Sequence, residues 1–195
     1  IDKGRTKVDG KGYDISFTLT VGSLPIGGSV FLTAKKYGVK QTREFIVVNQ
    51  GIPQESDYYD ETADGTWLLL NGVLSSGTYG SYGNFYQSSN IKAVFESYFN
   101  EFDSNIQSTI KEVRIPYVDN LGNGSLKYGS AGLPSKVFAL SAREVGLSSS
   151  IAPNSHSEGA RLDYFSSKEV DAKRIVNYNG SPVNWWLRSP QKANQ

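Results

Sequence analysis

Four carboxylates, Asp57, Asp60, Glu61 and Asp64, stand close together in one polar segment. Carboxylates clustered in a loop can hold calcium, a hard cation that takes oxygen ligands. Their spacing is not that of an EF-hand, and a solvated acidic loop is the plain reading. Two of them could also form the carboxylate pair of a glycoside hydrolase, which needs a defined separation across the scissile bond. Nothing in the sequence sets that separation. No metal is therefore assigned, and the four residues stand only as candidate calcium ligands.

The second chemical feature is Trp185-Trp186-Leu187-Arg188-Ser189-Pro190. Two adjacent tryptophans are unusual in a chain with three in all. In a strand, neighbours point to opposite faces, so one indole can fill a core while the other meets a second layer or a ligand. Arg188, two residues on, shares the face of Trp186 and can stack on it. One reading is a core tryptophan with a structural arginine. The other is a binding surface at Trp185, Trp186 and Arg188, residue types that dominate interface hot spots.

Other chemistries lack their residues. There is no cysteine, which excludes disulfides, thiol nucleophiles and cysteine-ligated metals. The one histidine, His156, cannot build a usual zinc site alone, and no motif offers it a nucleophile to activate. The Gly77–Gly83 stretch is rich in Gly and Tyr but lacks the lysine and the strand–helix setting of a phosphate loop. Asn123-Gly124-Ser125 fits a glycosylation sequon, a short and unspecific pattern. No catalytic residue and no cofactor are assigned, and the chain is expected not to be an enzyme.

Composition narrows the class. The net charge is +1, without a long basic run, which argues against nonspecific nucleic-acid binding. No apolar stretch reaches the length of a membrane span. Ile1-Asp2-Lys3-Gly4-Arg5 is not a signal peptide, and the missing initial methionine suggests a processed or trimmed chain. Gly, Ser, Asn and Tyr are abundant, a mix shared by loop-rich extracellular or virion proteins and by binding surfaces.

The elements that must position these residues are short. Residues 1–14 read as an N-terminal arm or linker, and 15–195 as a single domain. Alternation at Ile15, Phe17 and Leu19 predicts a strand. Ser29–Leu32 and Arg43–Val48 read as paired strands around a Tyr37-Gly38 turn, and Thr66–Leu70 as a buried strand before the Asn71-Gly72 turn. Ile91, Val94, Phe95, Tyr98, Phe99 and Phe102 form one apolar stripe, which predicts a helix over 89–102 with its aromatics, Phe95 and Phe99 among them, in the core. Ser88, Ser89 or Asn90 can cap it. A shorter helix follows, capped by Asp103 or Ser104, with Ile106 and Ile110 facing in. Val113–Val118 is a strand interrupted by Pro116, and Lys136–Leu140 is a further strand. Ser141 and Glu144 have capping-box spacing before Gly146. Residues 119–135 and 148–160 read as loops. Arg174–Tyr178 and Val183–Leu187 read as a hairpin about Asn179-Gly180.

An ordered series of segments carries a family resemblance: Arg43–Pro53, Asp64–Leu70, Ser88–Phe95, Phe102–Gln107, Arg114–Tyr117, Gly132–Ser141 with Glu144–Gly146, Ala160–Phe165, Lys173–Ile175 and Trp185–Pro190. The series resembles a domain of unknown function found in phages and prophages of Gram-positive gut bacteria and in bacterial surface proteins. That domain is similar to the C-type-lectin-like fold of phage tropism determinants and formylglycine-generating enzymes, in which a variable binding surface follows a core strand bearing Trp and Arg. The implied fold class is α+β, a mainly antiparallel sheet with one or two packed helices and long loops. Two departures stand out. Relatives continue past the Trp-Trp-Leu-Arg-Ser-Pro motif into more strands, so the domain is expected to be truncated at its C-terminus. Their helix carries Trp and Leu-Asn where this chain has Val94 and Phe95-Glu96. The enzyme branch uses catalytic cysteines, so its activity does not carry over.

The resemblance implies a non-enzymatic phage virion component, a tail, fibre or decoration module for assembly or host-surface attachment. Its expected partners are other virion proteins or further copies of itself, with a host-surface glycan or protein as the receptor. Nucleic acid and membrane insertion are not expected. A bacterial cell-surface module that binds glycan or protein is the alternative, with an extracellular or cell-surface location in place of the virion. A glycoside hydrolase is the third reading.

Overall fold

Val30, Leu32 and Ala34 alternate with exposed residues along Ser29–Lys36, and the strand turns back at Tyr37-Gly38 into Val39–Gln50. Both turn residues have positive φ, 49° and 81°, the conformation that a two-residue hairpin loop requires. The chain is seen here in a computed structural model that describes residues 2–8, 11–17, 20–54, 56–79, 86–119, 125–147 and 158–189. His156, Asn123, Leu19 and Pro190 lie outside these ranges, as do the second half of the Gly/Tyr-rich stretch and most of the loop expected over 148–160.

The first two strands, β1 (Asp2–Val8) and β2 (Lys11–Phe17), pair antiparallel with each other. The expected arm is thus a hairpin, and the strand read at Ile15 and Phe17 is its second half. The main sheet has the order β3 (Ser29–Lys36), β4 (Val39–Gln50), β5 (Thr66–Leu70), all antiparallel. Its register shifts between Val47 and Asn49. The bulge breaks the alternation, so Val47, Val48 and Asn49 are all buried although they are consecutive. Phe45 thereby joins one core cluster and Val48 the other.

Helix α1 (Asn90–Phe99) begins where the stripe predicts, and the Ser89 hydroxyl caps it by accepting the Lys92 N–H at 3.1 Å. It reaches both clusters: Ile91 lies in the larger, Tyr98 in the smaller. The expected centre of the stripe is displaced. Phe95 is half-buried and Phe99 lies beneath the Lys136 ammonium at 5.1 Å, while Val94 is exposed. The helix stops at Phe99, so Phe102 is free to bridge Ala34 of β3 and pack on Phe45 and Tyr98. Helix α2 (Ser104–Thr109) follows, with Ile106 and Ile110 against the same cluster.

The rest of the chain is short pieces. β6 (Val113–Ile115) and β7 (Tyr117–Val118) are split by Pro116, as expected, and pair with β9 (Leu133–Ser135) and β8 (Leu126–Lys127). Lys136–Leu140 is not the strand it resembles, because its carbonyls are taken by an arginine. Helix α3 (Val170–Lys173) precedes β10 (Val176–Tyr178) and β11 (Ser181–Val183), a hairpin closed by Asn179-Gly180 in spite of Pro182. It ends at Val183, so residues 184–187 are not strand. With few helices and small antiparallel sheets the fold is α+β.

Phe102→Ala is expected to cost about 3–5 kcal/mol in a urea titration, the usual loss for a buried phenylalanine. Val94→Ala on the same stripe should stay within about 0.5 kcal/mol. Equal effects would mean that Val94 is packed as closely as Phe102, against the exposure of the one and the burial of the other.

Candidate functional site

Arg188 has no solvent exposure, and neither has Glu144. Their side chains meet as a two-pronged pair, Nη1 to Oε2 and Nη2 to Oε1, each 2.6 Å. A planar guanidinium matches a carboxylate in this geometry, and the charge strengthens both bonds. The guanidinium also donates from Nε to the Pro116 carbonyl at 2.9 Å and from Nη1 to the Ala139 carbonyl at 2.8 Å. Its backbone N–H reaches the Leu140 carbonyl at 2.9 Å, and its face covers the Phe138 ring at 5.9 Å.

Glu144 is held from its own side. The Ser141 hydroxyl accepts the Glu144 N–H, and Glu144 Oε2 accepts the Ser141 N–H, a reciprocal capping box at 3.0 and 2.9 Å. Tyr59 donates its hydroxyl to Glu144 Oε1 at 2.9 Å and accepts the Ala160 N–H at 3.1 Å. Gly159, at φ 98°, has to be a glycine: a Cβ there would collide with the Tyr59 hydroxyl. Burial, then the Glu144 carboxylate, pushes the Tyr59 hydroxyl well above its usual pKa, so it stays a donor.

A second acid, Glu158, is also buried, accepting the Val118 N–H at 2.9 Å. Desolvation raises its pKa from the usual 4.5, against the pull of the Arg188 guanidinium, the Ser189 hydroxyl and that N–H. The cluster therefore holds one guanidinium and two carboxylates away from water, and Glu158 is the acid whose ionisation burial opposes. The segments so gathered carry residues 59, 116, 139–144, 158–160 and 188.

Around this centre the paired tryptophans part company. Trp185 is half-buried, packs on the larger core and donates its indole N–H to the Arg174 carbonyl at 2.8 Å. Trp186 is 55% exposed. Its indole N–H reaches the Gly77 carbonyl at 3.1 Å, and its ring meets Tyr79 edge-on, centroids 5.6 Å apart. The Tyr79 hydroxyl donates to the Arg188 carbonyl at 3.2 Å. Trp186 and Arg188 do not share a face. Residues 184–187 are not strand, so the alternation expected of them does not apply, and the arginine turns inward to Glu144. One indole against the core and one outward does match the residue types.

The acidic segment is used differently. Asp60 caps a short 3-10 turn, its Oδ1 accepting the Thr62 N–H at 3.0 Å, with its other oxygen 3.9 Å from Arg114. Asp57 and Glu61 are exposed, and the Asp64 carbonyl accepts the Lys111 ammonium at 2.6 Å. Among the described residues no group of three or more His, Asp or Glu side chains gathers as metal ligands would. Among the same residues no helix is long and apolar enough to cross a membrane.

Residue type alone gave no notice of Glu144 and Glu158 as buried acids. The capping-box spacing marked Glu144, but as a helix cap and not as the partner of Arg188. Glu158 had no signal beyond its polar surroundings, and the Tyr79 contact is too distant in sequence to read.

An α+β domain built around a buried guanidinium–carboxylate pair is the class that these observations define. The chain belongs to the family of the Domain of unknown function (DUF6273), which matches residues 64–195. No curated protein and no solved structure matches it.

Arg188→Ala or Glu144→Ala should each cost about 3–5 kcal/mol in denaturation, because each strands a buried charge. Replacing both together by Met and Leu should cost clearly less than the two single losses summed. Strict additivity would show that the two side chains act independently. Glu158 sets a pH dependence of known sign. Its folded pKa lies above the unfolded value, so the unfolded chain loses the proton first as pH rises. Stability should fall from about pH 4.5 upward until the folded acid has ionised. Glu158→Gln should flatten this decline in melting temperature against pH; a decline of the same size in the variant would assign it to another group.

Proposed function

We propose that the protein is a non-enzymatic phage virion component, a tail, fibre or decoration module that mediates assembly or attachment to the host surface. The observation that carries the reading is the Trp186–Tyr79 pair, an aromatic platform held open to solvent at the rim of a fixed core. A large indole that is more than half exposed contributes little to its own fold. Its orientation is nonetheless set by the hydrogen bond to Gly77 and the edge contact with Tyr79. Rigid, exposed aromatics are the usual anchors of binding surfaces, since little side-chain freedom remains to be lost.

The ordered segments that resemble phage and prophage domains support the same reading, as does the abundance of Gly, Ser, Asn and Tyr. A C-type-lectin-like fold belongs with this proposal: the family resemblance implies a binding surface that follows a core strand bearing Trp and Arg. Other virion proteins, further copies of the chain or a host glycan or protein are the partners it implies.

Labelling purified particles with an antibody to this chain should mark the tail or capsid surface. Trp186→Ala should weaken particle assembly or host-cell attachment at least about tenfold, with an unchanged melting temperature. Unlabelled particles, or full attachment and assembly by the variant, would overturn the proposal.

A further inference from the structure

Two tight hairpin turns in this chain share one backbone shape and differ in residue. Asn179-Gly180 has φ 51° and 80°, and Tyr37-Gly38 has φ 49° and 81°. Asparagine is a usual occupant of that left-handed position, whereas a bulky aromatic residue is uncommon there. The turn does not call for a tyrosine, and neither does the core, since Tyr37 is 95% exposed. We infer that the tip of the β3–β4 hairpin docks on an anionic membrane surface without crossing it, Tyr37 and Val39 settling in the headgroup layer and Lys35, Lys36 and Lys40 meeting the lipid phosphates.

The tip stands clear of the domain. Residues 35–42 are all exposed. The rest of the fold holds the backbone of β3 at Ala34, which is bridged to Phe102, and at Lys35, whose N–H donates to the Glu101 carbonyl at 2.6 Å. At the rise of a strand the turn reaches about 7 Å beyond these contacts. Interfacial segments enter the boundary of headgroups and acyl chains to a similar depth. Around Gly38 there is open space, since a Cβ there would meet no atom within 4 Å. The register runs to the last residue, with Lys35 opposite Lys40 and Lys36 opposite Val39. The tip is thus shaped in advance, and binding has little left to order.

Its chemistry is layered. Tyr37 and Val39, the latter 61% exposed, stand at the apex. Residues 35–42 hold three lysines and no acid. Lys35 and Lys40 lie directly opposite each other, a like-charge pair that destabilises a sheet and that an anionic surface turns into attraction. The Lys36 ammonium lies 5.9 Å from the centre of the Tyr37 ring. Two acids reach this collar from behind, Asp103 at 3.1 Å from Lys35 and Glu101 at 3.7 Å from Lys36. Both lysines stay about half exposed, and such exposed pairs are weak and screened by salt. Lys40 has no ion pair among the described residues. An aromatic and apolar apex inside a collar of ammonium groups matches a membrane surface, where tyrosine rings settle at headgroup level and lysines attract anionic lipid. A purely acidic protein partner would leave the apex in water.

Docking of this kind rests neither on the aromatic rim at Trp186 nor on a place in a virion. The full chain is sedimented with vesicles of phosphatidylcholine, alone or mixed with phosphatidylglycerol. Binding is expected only where phosphatidylglycerol is present, and raised salt should release most of it. Lys40→Gln should weaken it about fivefold, the loss expected for one lysine at an anionic surface. Tyr37→Asn keeps the turn that Asn179 makes, so it should melt with the parent and yet bind about fivefold more weakly. No sedimentation with phosphatidylglycerol, equal binding to neutral vesicles, or parental binding by Tyr37→Asn would each overturn the inference. Soluble polyglutamate bound as tightly as the anionic vesicles would overturn it too, and would assign the tip to an acidic protein.

Discussion

Taking a guanidinium and two carboxylates out of water is costly, and the cost is recovered only when the geometry is complete. Arg188 recovers it from Glu144 and from the carbonyls of Pro116 and Ala139, and Glu144 from Tyr59 and Ser141. Those partners come from segments with little regular structure. Residues 136–144 make few strand bonds because their carbonyls serve the arginine and the backbone of residue 188. In most domains backbone pairs with backbone; here one side chain substitutes for a missing sheet. The irregularity of this half of the molecule and the burial of its charges are two aspects of one arrangement.

The same centre sets what the surface can present. The backbone of residue 188 accepts the Tyr79 hydroxyl, and Tyr79 supports Trp186, so the aromatic rim is joined to the ion pair by one hydrogen bond. The Ala160–Asp163 segment hangs from it as well, through the Leu162 N–H and the Glu144 carbonyl. The family match begins at Asp64, yet Tyr59, Val48 and the β3–β4 hairpin lie upstream of it and share its cores. The physical unit is larger than the matched segment, since without Tyr59 one oxygen of Glu144 would lose a bond.

Elements of local origin were legible in the residues. The Tyr37-Gly38 and Asn179-Gly180 turns, the Ser89 cap, the break at Pro116 and the Ser141–Glu144 box each depend on groups a few positions apart, and each formed where its spacing pointed. Features that depend on distant partners were not. Lys136–Leu140 has a strand's composition, but its fate is decided by an arginine far along the chain. Of the stripe of α1, Ile91, Tyr98 and Phe102 are buried as expected, while Phe95 and Phe99 are only half-buried and Val94 is exposed, since the contact with β3 draws the packing towards Tyr98 and Phe102. Trp185 and Trp186 were rightly set apart, while Arg188 went inward because the strand they were placed on ends at Val183.

The separations in sequence across the ion-pair centre have a kinetic consequence. Tyr59 meets Glu144 across 85 positions and Ala160 across 101, and Arg188 meets Pro116 across 72. Contacts of such length form late, after the chain has given up most of its freedom. On a ribosome the β3–β4 hairpin and α1 emerge with their local contacts already available. Glu144 and Glu158 emerge with their counter-charge still unmade, and they stay hydrated until residue 188 follows. The larger core therefore stands open during synthesis until residue 188 has emerged to meet Glu144 and Pro116.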